Sequence, residues 1–299
     1  MPIYDRLPDD MKGDVRELKY PVDPPARHRI AMVAGWQDVQ TLRPRHRMIY
    51  IEHGAGQVYT GDEKSAMQPG YSASGGYRHG GVELFISPSP LVASRWKTAP
   101  AHAVGCPKLD KYVGSVAAVE RSVCFAWHWD SEVSPEARTA LPHYASSLAA
   151  IVDHFEEAGV TVFGHAHPRW EGKIDQVLAN AGMEVLRTER EVFANAAALI
   201  VDNSSIGMEF LAIGRPVVWM NCPSYRRQIQ HGGRFWEWTN GVPTVDNPVD
   251  FFTLNIRSLF DGSNPTDSAY QSVNAVYGTM DGLAGQRAAD LIAQYFRNQ

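Results

Sequence analysis

Short apolar runs recur along this chain at 29–34, 48–52, 82–87, 122–127, 160–164, 183–186, 198–202 and 216–220. Each is brief and rich in large aliphatic residues, the pattern of strands buried on both faces. Between and after them, the segments 144–158, 173–181, 205–213 and 285–296 return apolar residues at helical spacing and predict helices. Ser134-Pro135-Glu136 reads as a helix start, with a capping serine and proline at the first helical position. Strands alternating with helices require right-handed crossovers and parallel sheets covered on both faces. In the last helix Ala288, Ala289, Leu291, Ile292 and Tyr295 form one apolar stripe, so it must pack on something and could cross back to the first domain.

Other stretches interrupt the pattern. The chain up to Pro25 is rich in Pro, Asp and Lys and reads as an irregular lead-in, and 54–81 is loaded with Gly, Ser, Tyr and Gln. Long ordered loops in compact domains often present ligand-binding groups. A break near 105–119 divides the chain into 1–112 and 113–299, and no internal repeat, coiled coil or low-complexity tract is present.

Composition narrows the class of protein. At 299 residues the chain can bury two cores, and 44% hydrophobic with 20% charged residues is ordinary for a globular protein. A net charge of −5 argues against the broad basic face that nonspecific binding to nucleic-acid backbones requires. Residues 1–30 carry charges and prolines throughout and no apolar run is long enough to span a bilayer, so a cytoplasmic protein is expected. Cys106, Cys124 and Cys222 lack Cys-x-x-Cys spacing, which predicts small core hydrophobes and neither disulfides nor a zinc-thiolate site.

Candidate chemistry gathers at predicted strand ends. Leu199-Ile200-Val201 runs into Asp202-Asn203-Ser204-Ser205 just before a helix. The unpaired N–H groups and positive dipole end of that helix suit a diphosphate, although Asp202 or Ser204 could simply cap it. Gly164-His165-Ala166-His167-Pro168-Arg169-Trp170 also leaves a strand. His167 and Arg169 there could donate to phosphate oxygens, the two histidines could begin a metal site, though no Asp, Glu or Cys stands at convincing spacing nearby, or the segment could be a solvated loop. Ile51-Glu52-His53-Gly54-Ala55-Gly56-Gln57 places a histidine before a glycine-rich loop, where it could serve as general base or be structural. Trp127, in Trp127-His128-Trp129-Asp130, could stack on a base or sugar or belong to the core. Glu209 could reach a sugar hydroxyl or be solvated. P-loop, Gly-x-Ser-x-Gly and His-Glu-x-x-His motifs are absent.

In order, His53-Gly54, Gly105-Cys106-Pro107-Lys108-Leu109-Asp110, Trp127, His167-Pro168, Asp202-Asn203-Ser204-Ser205 and Gly214-Arg215-Pro216-Val217 resemble the CDP-glycerol glycerophosphotransferase family of teichoic acid enzymes. The resemblance covers about 49–220. It implies an α/β GT-B fold, two facing Rossmann-like domains with parallel sheets, with the donor in the second and acceptor groups from the first. It further implies transfer of a sugar or glycerophosphate from a nucleotide-diphosphate donor to an acceptor hydroxyl, with no cofactor and no metal. His53 matches the family's His-Gly histidine, a candidate base. His167 matches the histidine expected at the donor phosphates, and Ser204 and Ser205 match its serine pair. Asp202, Arg169, Glu209 and Trp127 complete the expected donor side; Gly54, Gln57 and Tyr59 are placed on the acceptor side. Where the family has Thr and a basic residue after His-Gly, this chain has Ala55-Gly56-Gln57-Val58-Tyr59, which leaves donor and acceptor open. Ser205-Ile206-Gly207-Met208-Glu209 also resembles the Ser-x-Gly-x-Glu pattern of UDP-N-acetylglucosamine 2-epimerases, implying an isomerase as alternative. A nucleotide-binding protein without catalysis is a third reading.

Overall fold

The computed structural model describes residues 2–12, 30–34, 39, 42, 46–52, 81–94, 96, 99–130, 138–170, 172–223, 241–262 and 267–297. They form two compact units, Met1–Val113 with Asn274–Gln299 and Gly114–Val273.

In the first unit β1 (Ile30–Val33), β2 (Arg47–Ile51), β3 (Val82–Ser87) and β4 (Ala101–Ala103) pair in parallel in the order β1-β2-β3-β4. Alternation along the strands gives the sheet two apolar faces. Ile49, Leu84, Ile86 and Val104 join one cluster, while Met48, Tyr50 and Phe85 join another with Val39, Leu42 and Trp96. A short α1 (Pro90–Ala93) follows β3, started by Ser89, whose hydroxyl accepts from the Val92 N–H at 3.2 Å.

The second unit holds β5 (Ser122–Trp127), β6 (Thr161–Ala166), β7 (Glu184–Val185), β8 (Ala198–Val201), β9 (Val217–Met220) and β10 (Thr244–Val245). They form a parallel sheet in the order β10-β9-β8-β5-β6-β7. Around it lie α2 (Leu141–Tyr144), α3 (Leu148–Glu157), α4 (Asp175–Asn180), α5 (Glu189–Asn195) and α6 (Ser205–Ala212), and the boundary between the units falls within α7 (Asp267–Tyr277). From α3, Leu148, Ile151, Val152 and Phe155 pack with Phe125 and Trp127 of the central strand. The α6 helix approaches the sheet at a glycine: a Cβ at Gly207 would meet the Trp219 ring at 2.5 Å and Val201 Cγ1 at 2.6 Å.

Two parallel α/β sheets in two Rossmann-like units make this the GT-B class read from the sequence. The last helix, α8 (Ala284–Arg297), belongs to the first unit, the crossing back that its apolar stripe allowed, although the linear division at 112/113 placed it in the second. Its stripe supplies Ala288, Ala289 and Ile292 to the cluster of Ile49, Leu84 and Ile86. The Asp110 carboxylate accepts from the N–H groups of Ala284 at 3.0 Å and Gly285 at 2.7 Å, capping the helix start. Arg287 Nε donates to Val104 O at 2.7 Å. The Gly105-to-Asp110 motif therefore has a structural task here, anchoring the returning helix.

Gly214-Arg215-Pro216 is structural as well. Gly214 ends α6 with φ of 82°, a conformation that favours glycine. Arg215 is buried and donates to Phe193 O, Ala196 O and both Ser115 O and Oγ at 2.6–3.2 Å. One guanidinium thus ties α5 and the start of the second unit to the end of α6.

Candidate functional site

In the second unit the strand order reverses between β5 and β8: β6 and β7 extend the sheet on one side of β5, and β8, β9 and β10 on the other. Open parallel sheets bind ligands at such a switch point, beyond the carboxyl ends of the strands. The segments that leave β5, β6 and β8 there are His128-Trp129-Asp130, His167-Pro168-Arg169-Trp170 and Asp202-Asn203-Ser204-Ser205.

Asp202 joins two of them. Its carboxylate is buried and accepts from the His128 N–H at 2.9 and 3.1 Å, Thr139 Oγ1 at 3.0 Å and the Ala140 N–H at 3.1 Å. The Ser204 N–H donates to it too. Burial pushes its pKa up to about 7, opposed by those four donors. Asp202 was expected on the donor side; its oxygens face the protein's own donors instead.

Ser204 occupies the N-cap position of α6 and its side chain makes no capping bond, so the hydroxyl does not compete for the helix's first N–H groups. Ser204 and Ser205 are both half-buried at the rim. Glu209 lies deeper in α6 and is buried, in contrast to the solvated alternative.

His167 continues β6 beyond its last residue, with its N–H donating to Trp127 O at 2.9 Å. Its Nδ1 accepts from the Arg169 N–H at 3.1 Å, which leaves the ring proton on Nε2. Burial first, then the neighbouring His128, Arg169 and His165, push its pKa down to about 4. At neutral pH it is therefore an uncharged N–H donor. The Arg169 guanidinium is exposed and lies 4.4 Å from the Trp129 ring centroid, a cation–π contact that holds it over the rim. His128 and His167 rings are 5.3 Å apart, and Trp170 Nε1 donates to His128 O at 2.9 Å.

Trp127 corrects an expectation. It is the last residue of β5, its ring is in the core beside Tyr144 with centroids 6.1 Å apart, and 1% exposure leaves no face for a base. The neighbour that does reach the rim is Trp129, half-buried next to the buried His128; its position two residues past a buried strand was the available signal. His53, Gly54, Gln57 and Tyr59 lie outside the described residues, as does Ser134-Pro135-Glu136.

No family model and no curated protein matches this chain. Solved structures do. A structure of the wall teichoic acid polymerase TagF has 14% identity and a TM-score of 0.60, covering 85% of this chain and 70% of that one. TagF soaked with CDPG has 16% identity and a TM-score of 0.57, covering 86% and 69%. A Listeria monocytogenes protein assigned as a UDP-N-acetylglucosamine 2-epimerase has 12% identity and a TM-score of 0.55, covering 91% and 74%. At these identities the likeness establishes the fold. Among the described residues no helix is long and apolar enough to cross a membrane.

Proposed function

We propose that this protein is a glycosyltransferase-like transferase that moves a sugar or glycerophosphate from a nucleotide-diphosphate donor to an acceptor hydroxyl. The observation that carries the proposal is the convergence, at the switch point of the second sheet, of a helix start, a neutral histidine donor and an exposed arginine. The first N–H groups of α6 and the hydroxyls of Ser204 and Ser205 suit one phosphate. His167 Nε2–H and Arg169 suit another. Strand spacing of about 4.8 Å separates the ends of β6 and β8 by roughly 10 Å across β5, so the groups at the two ends must reach inward to meet one diphosphate.

Such donors, fixed before reaction, stabilise the negative charge that grows on the departing nucleotide phosphate, and this is where most of the catalysis is assigned. The low pKa of His167 suits hydrogen bonding to that charge more than proton delivery. The proposal assigns no metal or cofactor to this step, since Arg169 and the dipole of α6 supply the positive counter-charge. The general base is assigned to His53 by its sequence context after β2. CDP-glycerol and nucleotide sugars are both candidate donors, the first through the teichoic-enzyme resemblance of the motif order.

The Ser205-Ile206-Gly207-Met208-Glu209 pattern favours a second reading, a sugar-nucleotide 2-epimerase, which needs no acceptor. Incubation with CDP-glycerol and a panel of UDP-, GDP-, CDP- and dTDP-sugars, followed by NMR with and without acceptors, separates the two. Release of free nucleotide that depends on an acceptor supports transfer; an epimer without free nucleotide overturns it.

A further inference from the structure

Asp202 lies among the candidate ligands in sequence, yet no oxygen of its buried carboxylate is spare. Oδ1 accepts from the His128 N–H, and Oδ2 from the same N–H, from Thr139 Oγ1 and from the Ala140 N–H. The Ser204 N–H donates as well. These donors come from three segments far apart in the chain: the exit of β5, the approach to α2 and the start of α6. The Thr139 hydroxyl also accepts from the Leu141 N–H at 3.2 Å, so the tie extends into the first turn of α2.

We infer that Asp202 is a positioning residue: it locks the β5 exit, the 139–140 segment and the Ser204-Ser205 helix start into one cradle and does not itself touch the donor. The inference deepens the nucleotide-donor reading and rests on it. Every partner is a donor, so only an acceptor pair can satisfy them together; an amide would turn an NH2 toward at least one N–H or O–H. The His128 ring lies 5.3 Å from the His167 ring at a 53° tilt, and its carbonyl accepts from Trp170 Nε1, so the lock reaches the β6 exit. A shift of the His128 backbone is thereby carried to the side chains assigned to phosphate.

The test compares wild type with Asp202→Asn, Thr139→Val and Thr139→Ser. Hydrogen exchange is followed at single amides, and CDP and UDP are titrated calorimetrically. Thr139→Val removes only one hydroxyl, at a buried site. Positioning predicts that its loss also lowers protection at the His128 and Ser204 N–H groups, which it does not touch, while the β8 core stays protected. Affinity for whichever nucleotide binds should fall roughly tenfold or more in Asp202→Asn, as expected when buried donors lose their acceptor. Thr139→Ser, which keeps the hydroxyl, should restore both protection and affinity. Exchange changes confined to 139–141 in Thr139→Val, or nucleotide affinity unchanged in folded Asp202→Asn, would overturn the inference. Should Asp202→Asn not fold, Thr139→Val carries both readouts. Failure of wild type to bind either nucleotide would instead count against the donor reading, with the exchange pattern still deciding whether Asp202 couples the segments.

Discussion

Replacing Gly207 by alanine sets two effects of opposite sign against each other. In an exposed helix interior the change is favourable by about 1 kcal/mol, because glycine carries the larger backbone entropy. Here the new methyl would stand 2.5 and 2.8 Å from two atoms of the Trp219 ring and 2.6 Å from Val201 Cγ1. Trp219 is 4% exposed and Val201 fully buried, so neither can turn out into solvent. Overpacking of this kind costs about 1–3 kcal/mol, and three contacts against immobile atoms place Gly207 in the upper half of that range. The net expectation is a loss of about 1–2 kcal/mol, or a Tm lowered by roughly 2–8 °C for a domain of this size. Because the chain has two units, one global unfolding energy is not well defined, and calorimetry should be paired with hydrogen exchange on the 205–212 peptide. A Tm equal to or above wild type would refute the reasoning, since propensity would then have outweighed the contact. A shift of α6 would also displace Ser204 and Ser205, so nucleotide affinity should fall in the same variant.

Three further outcomes follow from the same geometry. Asp110→Ala removes the cap of α8 and should cost about 1–2 kcal/mol, read as faster proteolysis near 284 and lower exchange protection at Ala284 and Gly285. Arg215→Lys cannot span the carbonyls of Phe193, Ala196 and Ser115 with one ammonium and should lower the second unit's stability by about 2 kcal/mol, read by thermal unfolding. His167 has its pKa lowered from 6.5 to about 4, so the unfolded chain binds more protons in that window. Its contribution to stability is full above about 6.5 and is lost as pH falls toward 4; Asp202, raised from 3.8 to about 7, acts in the opposite sense. His167→Gln should therefore flatten the acid-side loss of stability, measured as Tm against pH, and an unchanged profile would contradict the assignment.

Much of the fold was legible because buried strands and amphipathic helices write strong periodic patterns. The runs at 82–87 and 122–127 are β3 and β5 as found, and the apolar stripe of the last helix gives a real packing face. β4 and β10 were missed: Ala101–Ala103 and Thr244–Val245 are too short for a period to register. α5 was missed although Thr188 and Glu191 form a capping box, a signal present in the sequence. The helix expected from 144 is divided, with a 3-10 turn at Ala145–Ser147 before α3 begins at Leu148.

The site was legible as places more than as roles. Strand ends carrying His167, Arg169, Ser204 and Ser205 do meet the switch point, because the sheet order puts β6 and β8 on either side of β5. The role of Asp202 was hidden because Ala140 and His128, which bond to it, lie 62 and 74 residues upstream. Trp127 and His128 exchanged significance for a local reason: Trp127 is the last strand residue and turns into the core, and His128 is the first beyond it.

The central claim is that the β5-β6-β8 rim holds a nucleotide diphosphate through Ser204, Ser205, His167 and Arg169. Calorimetric titration of wild type and His167→Ala with CDP, UDP, GDP and dTDP tests it most directly. The account predicts saturable binding of at least one of them and a loss of about tenfold in the variant, the size of one hydrogen bond to a charged group. Absence of binding by all four, or equal affinity in the two proteins, would contradict it.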